Sequence, residues 1–544
     1  MKIKNILIFT IILLGFLVRV LWLPQFPSGL NADEAAIGYN AWSLINTGRD
    51  EHGASWPLVF RSFDDYKPPV YFYLSLPFVY LLDLTVLAVR LPSAILGTIS
   101  IWLVYQLSRR LFKKSFYPSL IATLVFATSP WAIHFSRGGW EVNAALFFVL
   151  LGIYGFLKSL SNPKYLYLFV FSFALSLYTY HSARLISPVL ALALVIIYRS
   201  KLLGNNLVWK SSRVKNIIIS FTLGIIICIP LATQMLSKEG QSRFTGVSVF
   251  SDTGPLWQAL EYRRAHGESL YTRLIHNQYL SYGLRFTKNY LTHYSPRFLF
   301  VDGDEIARSK VPGMGQFYII LAPFYLFGIY FLLQAKNKFA RFILVWFMVA
   351  PLAASLTFQS PHALRSQNLV VPASLVIAFG FWGVIKNLKS KIAPIMVFTL
   401  AILYFFAIYL HQYFYVYPRT LPYAWQYGFD HIADFVKQNG QKYQKIIITD
   451  RYDQPYILMA FYLRIPPEKM QNEIVMTPRD KFGFSTVRKL DKFEFRAINW
   501  SEDKNSQNTL IISADEPVDE GAVIDTIKDP AGNTMYKILS TNVK

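Results

Sequence analysis

The sequence predicts a mainly α-helical, polytopic membrane protein with juxtamembrane helices in its first outer loop and a small α/β domain at its C-terminal end. Three observations carry this. Hydrophobic residues fill 53% of 544 positions, aromatic residues 17%, and mean hydropathy is +0.31, too apolar for an ordinary soluble protein. Those residues gather into about 11 stretches of membrane-spanning length: roughly 4–23, 91–108, 116–133, 141–158, 164–182, 184–198, 216–234, 316–334, 340–358, 368–385 and 392–411. Beyond 411 the apolar runs shorten to strand length, as in Lys445-Ile-Ile-Ile-Thr and Thr509-Leu-Ile-Ile-Ser, with a helix-like stretch from Gly428 to Gln438 before the first of them.

Charge orients the spans. The formal net charge of +22 would suggest nucleic acid in a soluble chain, but here Lys and Arg cluster in short loops between apolar runs, and no nucleic-acid recognition motif appears. Lys2 and Lys4 place the N-terminus in the cytoplasm, and the long apolar run that follows reads as an uncleaved first span. Arg109–Lys114, Arg199–Lys215, Lys336–Arg341 and Lys386–Lys391 then fall on the same side. The chain is expected to cross the plasma membrane many times, with 24–90, 235–315 and everything after 411 outside. Residues 69–87 are apolar enough to cross, yet counting them would reverse every later loop. They are expected as a juxtamembrane helix at the outer interface, where their Tyr-rich face belongs. The division that follows is a transmembrane domain over 1–411, holding the first outer loop (24–90) and a large outer loop (235–315), and an extracytoplasmic α/β domain over 412–544. The lone Cys228 allows no intrachain disulfide and no Cys-based metal site.

Residues that could carry chemistry collect at the outer ends of spans. Asn31 followed by Glu34 reads as a helix start with a capping box, and Thr47-Gly48 as its end. Asp33 then lies in the first turn, where exposed amides favour an ionised carboxylate. Capping alone would explain Asp33 and Glu34 equally well at this point. The same loop carries Asp64, Asp65 and Lys67 before Pro68-Pro69. Three later helix ends each present a His and an Arg three residues apart: His134 and Arg137, His181 and Arg184, His362 and Arg365. Arginine suits a bidentate grip on phosphate oxygens, so such a set on one side of the membrane fits a lipid phosphate; taken singly, each Arg fits a snorkelling helix end as well.

Asp33-Glu34, Asp64-Asp65-Tyr-Lys67-Pro68-Pro69 and Ala88-Val-Arg90-Leu-Pro92-Ser93-Ala94, with Arg109-Arg110-Leu-Phe beyond the next span, resemble the C-type membrane glycosyltransferases (GT-C fold). The resemblance is to bacterial members of the protein O-mannosyltransferase and lipid A aminoarabinose transferase group. It is strongest over roughly 30–200, weaker over 316–411, and does not reach the C-terminal domain. It implies that Asp33 is the catalytic acid–base residue of the first outer loop, with Glu34 beside it as cap or orienting group. It also implies a sugar donor on a polyprenyl phosphate, transfer with inversion, and a lipid, glycan or protein acceptor. Glu141 resembles the second acidic position of the family, although that position is often Asp.

The physical reading of the residues agrees. A hydroxyl acceptor needs a positioned base, and a leaving phosphate needs preorganised cations. Lys67 fits the second part, with Arg137, Arg184 and Arg365 as further donor-phosphate candidates. Glu141, His181, His362, Asp64 and Asp65 remain to orient the acceptor. No His/Cys cluster exists, so any divalent cation would be a hard one held by carboxylates, Mg²⁺ or Mn²⁺. Two other functions compete. A polysaccharide ligase also uses lipid-linked sugars but lacks an acidic pair directly after its first span. A transporter or flippase predicts ionisable groups at mid-membrane and paired repeats, and neither is apparent.

Overall fold

A computed structural model describes residues 2–63, 65–203, 212–237, 246–478 and 485–542. Asp64, one of the acidic candidates, lies outside the described residues. The chain forms two compact units. One comprises Met1–Arg19, Ile95–Ser136 and Glu141–Tyr409; the other comprises Val20–Ala94, Arg137–Trp140 and Leu410–Lys544.

Among the described residues eight helices are long and apolar enough to cross a membrane: Ile3–Val20, Val86–Leu111, Glu141–Ser159, Ala183–Leu203, Ser212–Leu236, Lys338–Ser355, Gln367–Ile385 and Ile392–Thr420. A ninth candidate is the pair Phe116–Thr128 and Pro130–Arg137, bent by 50°. Pro130 explains the break, because it cannot donate to the preceding turn. The two remaining expected spans correspond to the shorter apolar helices Tyr165–Leu177 and Ile319–Gln334. Within this unit the helix Ala322–Gln334 packs on Val370–Ile385 through Gly328 and Gly380, where a Cβ on either would overlap facing backbone. Small residues at a crossing let two membrane helices approach to backbone contact.

The second unit gathers the first outer loop and the C-terminal domain. Helix α2 (Ala32–Thr47; α1 is Lys2–Val20) is followed by a hairpin of β1 (Phe60–Ser62) and β2 (Asp65–Lys67), and then by α3 (Val70–Leu82). At 13 residues α3 is about 20 Å long, and it packs on α2 through Val79 and Ala41. The C-terminal sheet is built from β3 (Lys445–Ile448), β4 (Val475–Met476), β5 (Val487–Leu490), β6 (Phe493–Phe495), β7 (Thr509–Ser513), β8 (Val523–Lys528) and β9 (Thr534–Ser540). Its order is β4-β5-β6-β3-β7-β9-β8, with β3 parallel to β6 and β7 and the other pairs antiparallel. Ile446–Ile448 and the whole of β7 are buried, the pattern of central strands covered on both faces.

Val20–Ala94 clusters with the C-terminal residues Leu410–Lys544. The reason is the burial of α2 along most of its length, with Phe461 of helix Pro455–Leu463 lying against Gly38.

Candidate active site

Asn31 begins α2 as anticipated. Its side-chain oxygen accepts from the Asp33 and Glu34 amides at 3.0 and 3.2 Å, and Glu34 answers the Asn31 backbone amide at 3.3 Å, completing the capping box. Gly48 ends the helix in the left-handed region at φ 70°, donating to the Leu44 carbonyl.

From this common start the two carboxylates diverge. Glu34 is 1% exposed and Arg90 is fully buried. Arg90 grips Glu34 with Nε at 2.9 Å and Nη2 at 3.0 Å, and the Gly139 amide donates to the same carboxylate at 2.7 Å. The rest of the guanidinium donates to the Leu23, Pro27 and Gly29 carbonyls. This satisfied, bidentate pair holds the chain between the first span and α2 in place. Asp33 is 30% exposed and accepts from Lys67, whose Nζ sits 2.5 Å away and 4.8 Å from the Phe63 ring. Lys67 is nearly buried at 6%. The hairpin places it by pairing Lys67 with Phe60, whose ring stacks on Phe72 at 4.0 Å. Asp65, two residues earlier in β2, pairs with Ser62.

Arg137 is fully buried and donates to the Leu21, Trp22 and Phe26 carbonyls, with the Tyr413 and Phe414 rings against its face. This geometry makes Arg137 a brace for the segment after the first span. Trp140 begins no helix; Glu141 follows as the first residue of the helix Glu141–Ser159, half-buried.

In the helical unit, His181, Arg184 and Arg365 line one cavity of about 360 Å³ with Leu185, Met235 and Leu356. Two guanidinium groups in a mostly aliphatic hollow can hold one anionic headgroup attached to an apolar chain. His362 lies apart from that cavity. Its backbone amide donates to His293 Nε2 at 3.2 Å, and its ring lies 3.7 Å from Asp304, which also accepts from the Ala363 amide. Burial raises Asp304 to about 6 and lowers His293 to about 4. His362 is thus built into the joint between 289–308 and 360–366.

A family model for dolichyl-phosphate-mannose-protein mannosyltransferase matches residues 66–231. The crystal structure of ArnT from Cupriavidus metallidurans bound to undecaprenyl phosphate covers 98% of this chain and 98% of its own, with a TM-score of 0.50 and 11% identity. Its apo state gives 0.52 and 13%, over 98% and 97%. The apo oligosaccharyltransferase of Archaeoglobus fulgidus gives 0.51 and 12%, over 85% of this chain and 64% of that one. No curated protein sequence matches. The fold is that of the C-type membrane glycosyltransferases.

Within this GT-C fold, three residues matter that the sequence did not single out as site residues. Arg90 stood only in a motif. Glu51 is buried, accepts from Asn40, Ser62 and Tyr456, and is pushed up to about 7 by desolvation, which the Lys67 charge partly offsets. Gln426 donates and accepts across the start of α2, described below. Neither Glu51 nor Gln426 has a linear signature. For a divalent cation the donor set is poor. Among the described residues no three His, Cys, Asp or Glu side chains converge, and Asp33 already has the Lys67 ammonium against it. No step below uses a metal.

Proposed function

We propose that this chain is a membrane glycosyltransferase that moves a sugar from a polyprenyl-phosphate donor to a hydroxyl of a lipid, glycan or protein acceptor. The transfer would occur at the extracytoplasmic face, with inversion. One observation carries the reading: a part-exposed carboxylate, Asp33, at a helix N-terminus, held 2.5 Å from a nearly buried ammonium, Lys67.

The pair supplies both halves of the chemistry. As the acceptor oxygen forms its bond to the anomeric carbon, Asp33 takes the hydroxyl proton. The bond between that carbon and the phosphate oxygen breaks, and the electron pair leaves on the lipid phosphate, whose growing charge Lys67 meets. Contact between Lys67 and the donor phosphate would loosen its hold on Asp33 and make the carboxylate a better base. Within the helical unit the cavity of His181, Arg184 and Arg365 is a candidate seat for an anionic lipid headgroup in its own right, with aliphatic walls for the chain. Asp65 and Glu141 remain acceptor-orienting candidates. Asp64 belongs to the same group by sequence alone.

The test is release of polyprenyl phosphate by purified protein in proteoliposomes given a panel of radiolabelled polyprenyl-phosphate sugars. Release that depends on Asp33, and a raised donor KM in Lys67→Ala, are expected. Near-normal transfer by Asp33→Asn would end the assignment.

A further inference from the structure

The start of α2 is tied to the C-terminal domain by one amide side chain. Gln426 closes the short helical turn Pro422–Trp425 with a left-handed backbone, φ 51° and ψ 44°, and is buried. Its Oε1 accepts from the Ala32 amide at 2.7 Å. That amide is the first of α2 and has no partner within the helix. In the other direction Nε2 donates to the Tyr452 and Asp453 carbonyls at 2.5 and 2.6 Å, in the turn that leaves β3. Only a primary amide offers one acceptor and two donors in this layout. The approach is close, since a Cβ on Gly29 would overlap the Trp425 carbonyl, and Gly29 itself sits at φ 96°.

Other contacts fix the length of the same helix. Tyr39 Oη donates to the Ile465 carbonyl at 2.7 Å. Near the far end Gln471 Nε2 reaches Ser43, Thr47 and the Asp50 carbonyl at 3.0–3.3 Å. The C-terminal domain therefore holds α2 at both ends with glutamine amides. The end at Gln426 lies one residue before Asp33.

We infer that Gln426 is a positioning residue for the Asp33 carboxylate and that the C-terminal α/β domain serves to set that position. The inference rests on the transferase reading above. A displacement of a base by a fraction of an ångström lowers turnover with little loss of donor binding, because Lys67, the donor's contact, is carried by the β1–β2 hairpin and not by α2.

Gln426→Met keeps the bulk and removes all three hydrogen bonds. Gln426→Glu keeps the acceptor but sets a carboxylate oxygen against two carbonyl oxygens, until protonation supplies one donor. In proteoliposomes Gln426→Met should lower kcat about tenfold and leave the donor KM within about twofold of wild type. The kcat of Gln426→Glu relative to wild type should rise as pH falls from about 7.5 to about 5.5, while that of Gln426→Met stays flat. Hydrogen exchange of the Ala32 amide should speed up about tenfold in Gln426→Met, whether or not the protein transfers sugar.

Asp33-dependent transfer at full kcat in Gln426→Met sinks this inference alone, as does unchanged exchange at Ala32. A wild type without Asp33-dependent transfer sinks the transferase reading, and the exchange measurement then still decides whether Gln426 fixes the helix start. Should Gln426→Met fail to fold, the acid rescue of Gln426→Glu decides, and a flat ratio there overturns the proposal.

Discussion

The buried ion network around Glu34 and the half-open pair at Asp33 are adjacent in sequence, share one N-cap and use the same chemical groups, yet they do different work. Glu34 receives four donors besides its cap partner's side chain: two from Arg90 and one each from the Gly139 and Asn31 amides. Asp33 keeps 30% of its side chain open beside the Lys67 ammonium. A carboxylate with every lone pair answered has no capacity left for a substrate proton, whereas one with open surface does. The difference teaches that an acidic pair at a membrane boundary need not be a catalytic pair; here one member supports the other.

Substitution separates the two most sharply. Asp33→Asn should cost about 10²–10⁴-fold in turnover, the range for loss of a positioned base, and should lower the melting midpoint less than loss of the Glu34 charge does, because Asp33 is part-exposed. Glu34→Gln should do the reverse. It leaves Arg90 buried with its charge unanswered, which destabilises by about 3–5 kcal/mol. Thermal unfolding in detergent and transfer per folded molecule, measured together, check both. A Glu34→Gln protein as stable as wild type would remove the scaffold role of that network.

Much of this was legible along the chain, and the remainder was not for a physical reason. Asn31, Glu34 and Gly48 mark α2 because caps are local: the groups that satisfy a helix end lie within a few residues of it. The strand-length runs Lys445–Ile448 and Thr509–Ser513 mark the C-terminal sheet for a similar reason. Arg90 meets Glu34 across 56 positions, and Gln426 meets Ala32 across 394, so only the tertiary path brings them together. The His–Arg spacing was a local signal that the fold used in unlike ways. Arg184 and Arg365 share a cavity, Arg137 braces backbone carbonyls, and His362 joins two loops. Helical spacing reports a face and says nothing of what that face meets.

Glu51 extends the comparison to pH. Its carboxyl is held up to about 7 against an ordinary 4.5, so between those values the folded chain keeps a proton that the unfolded chain has released. The unfolded state therefore binds fewer protons, and stability falls as pH rises through that window, by about 3 kcal/mol in full. Asp304, raised from 3.8 to about 6, acts in the same direction over its own range. His293, lowered from 6.5 to about 4, acts oppositely and adds stability as pH rises. Glu51→Gln isolates the first contribution. It should match wild type near pH 5 and exceed it by about 3 kcal/mol near pH 8. Parallel stability profiles for the two proteins would show that Glu51 ionises as an ordinary carboxyl.

The arginines supply the smallest and most selective contrast, because the fold uses the same side chain in two ways. Arg90 and Arg137 are fully buried and spend their donors on backbone carbonyls or Glu34, so replacing either by Ala should lower folding yield before any ligand is added. Arg184 and Arg365 line an open cavity, and Arg184 donates to the Leu177 carbonyl at 3.3 Å and to Gln234 at 3.4 Å. Replacing either by Ala should leave the melting midpoint of the free protein nearly unchanged. It should also cut the stabilisation given by polyprenyl phosphate, with affinity about tenfold weaker, near the 1.4 kcal/mol of one charge-assisted contact. Lysine at the same positions should recover part of that loss, since it keeps the charge but not the bidentate fork. If both guanidinium groups grip one phosphate, the Arg184→Ala and Arg365→Ala losses will not add in the double variant, whereas independent sites would add within about 0.5 kcal/mol.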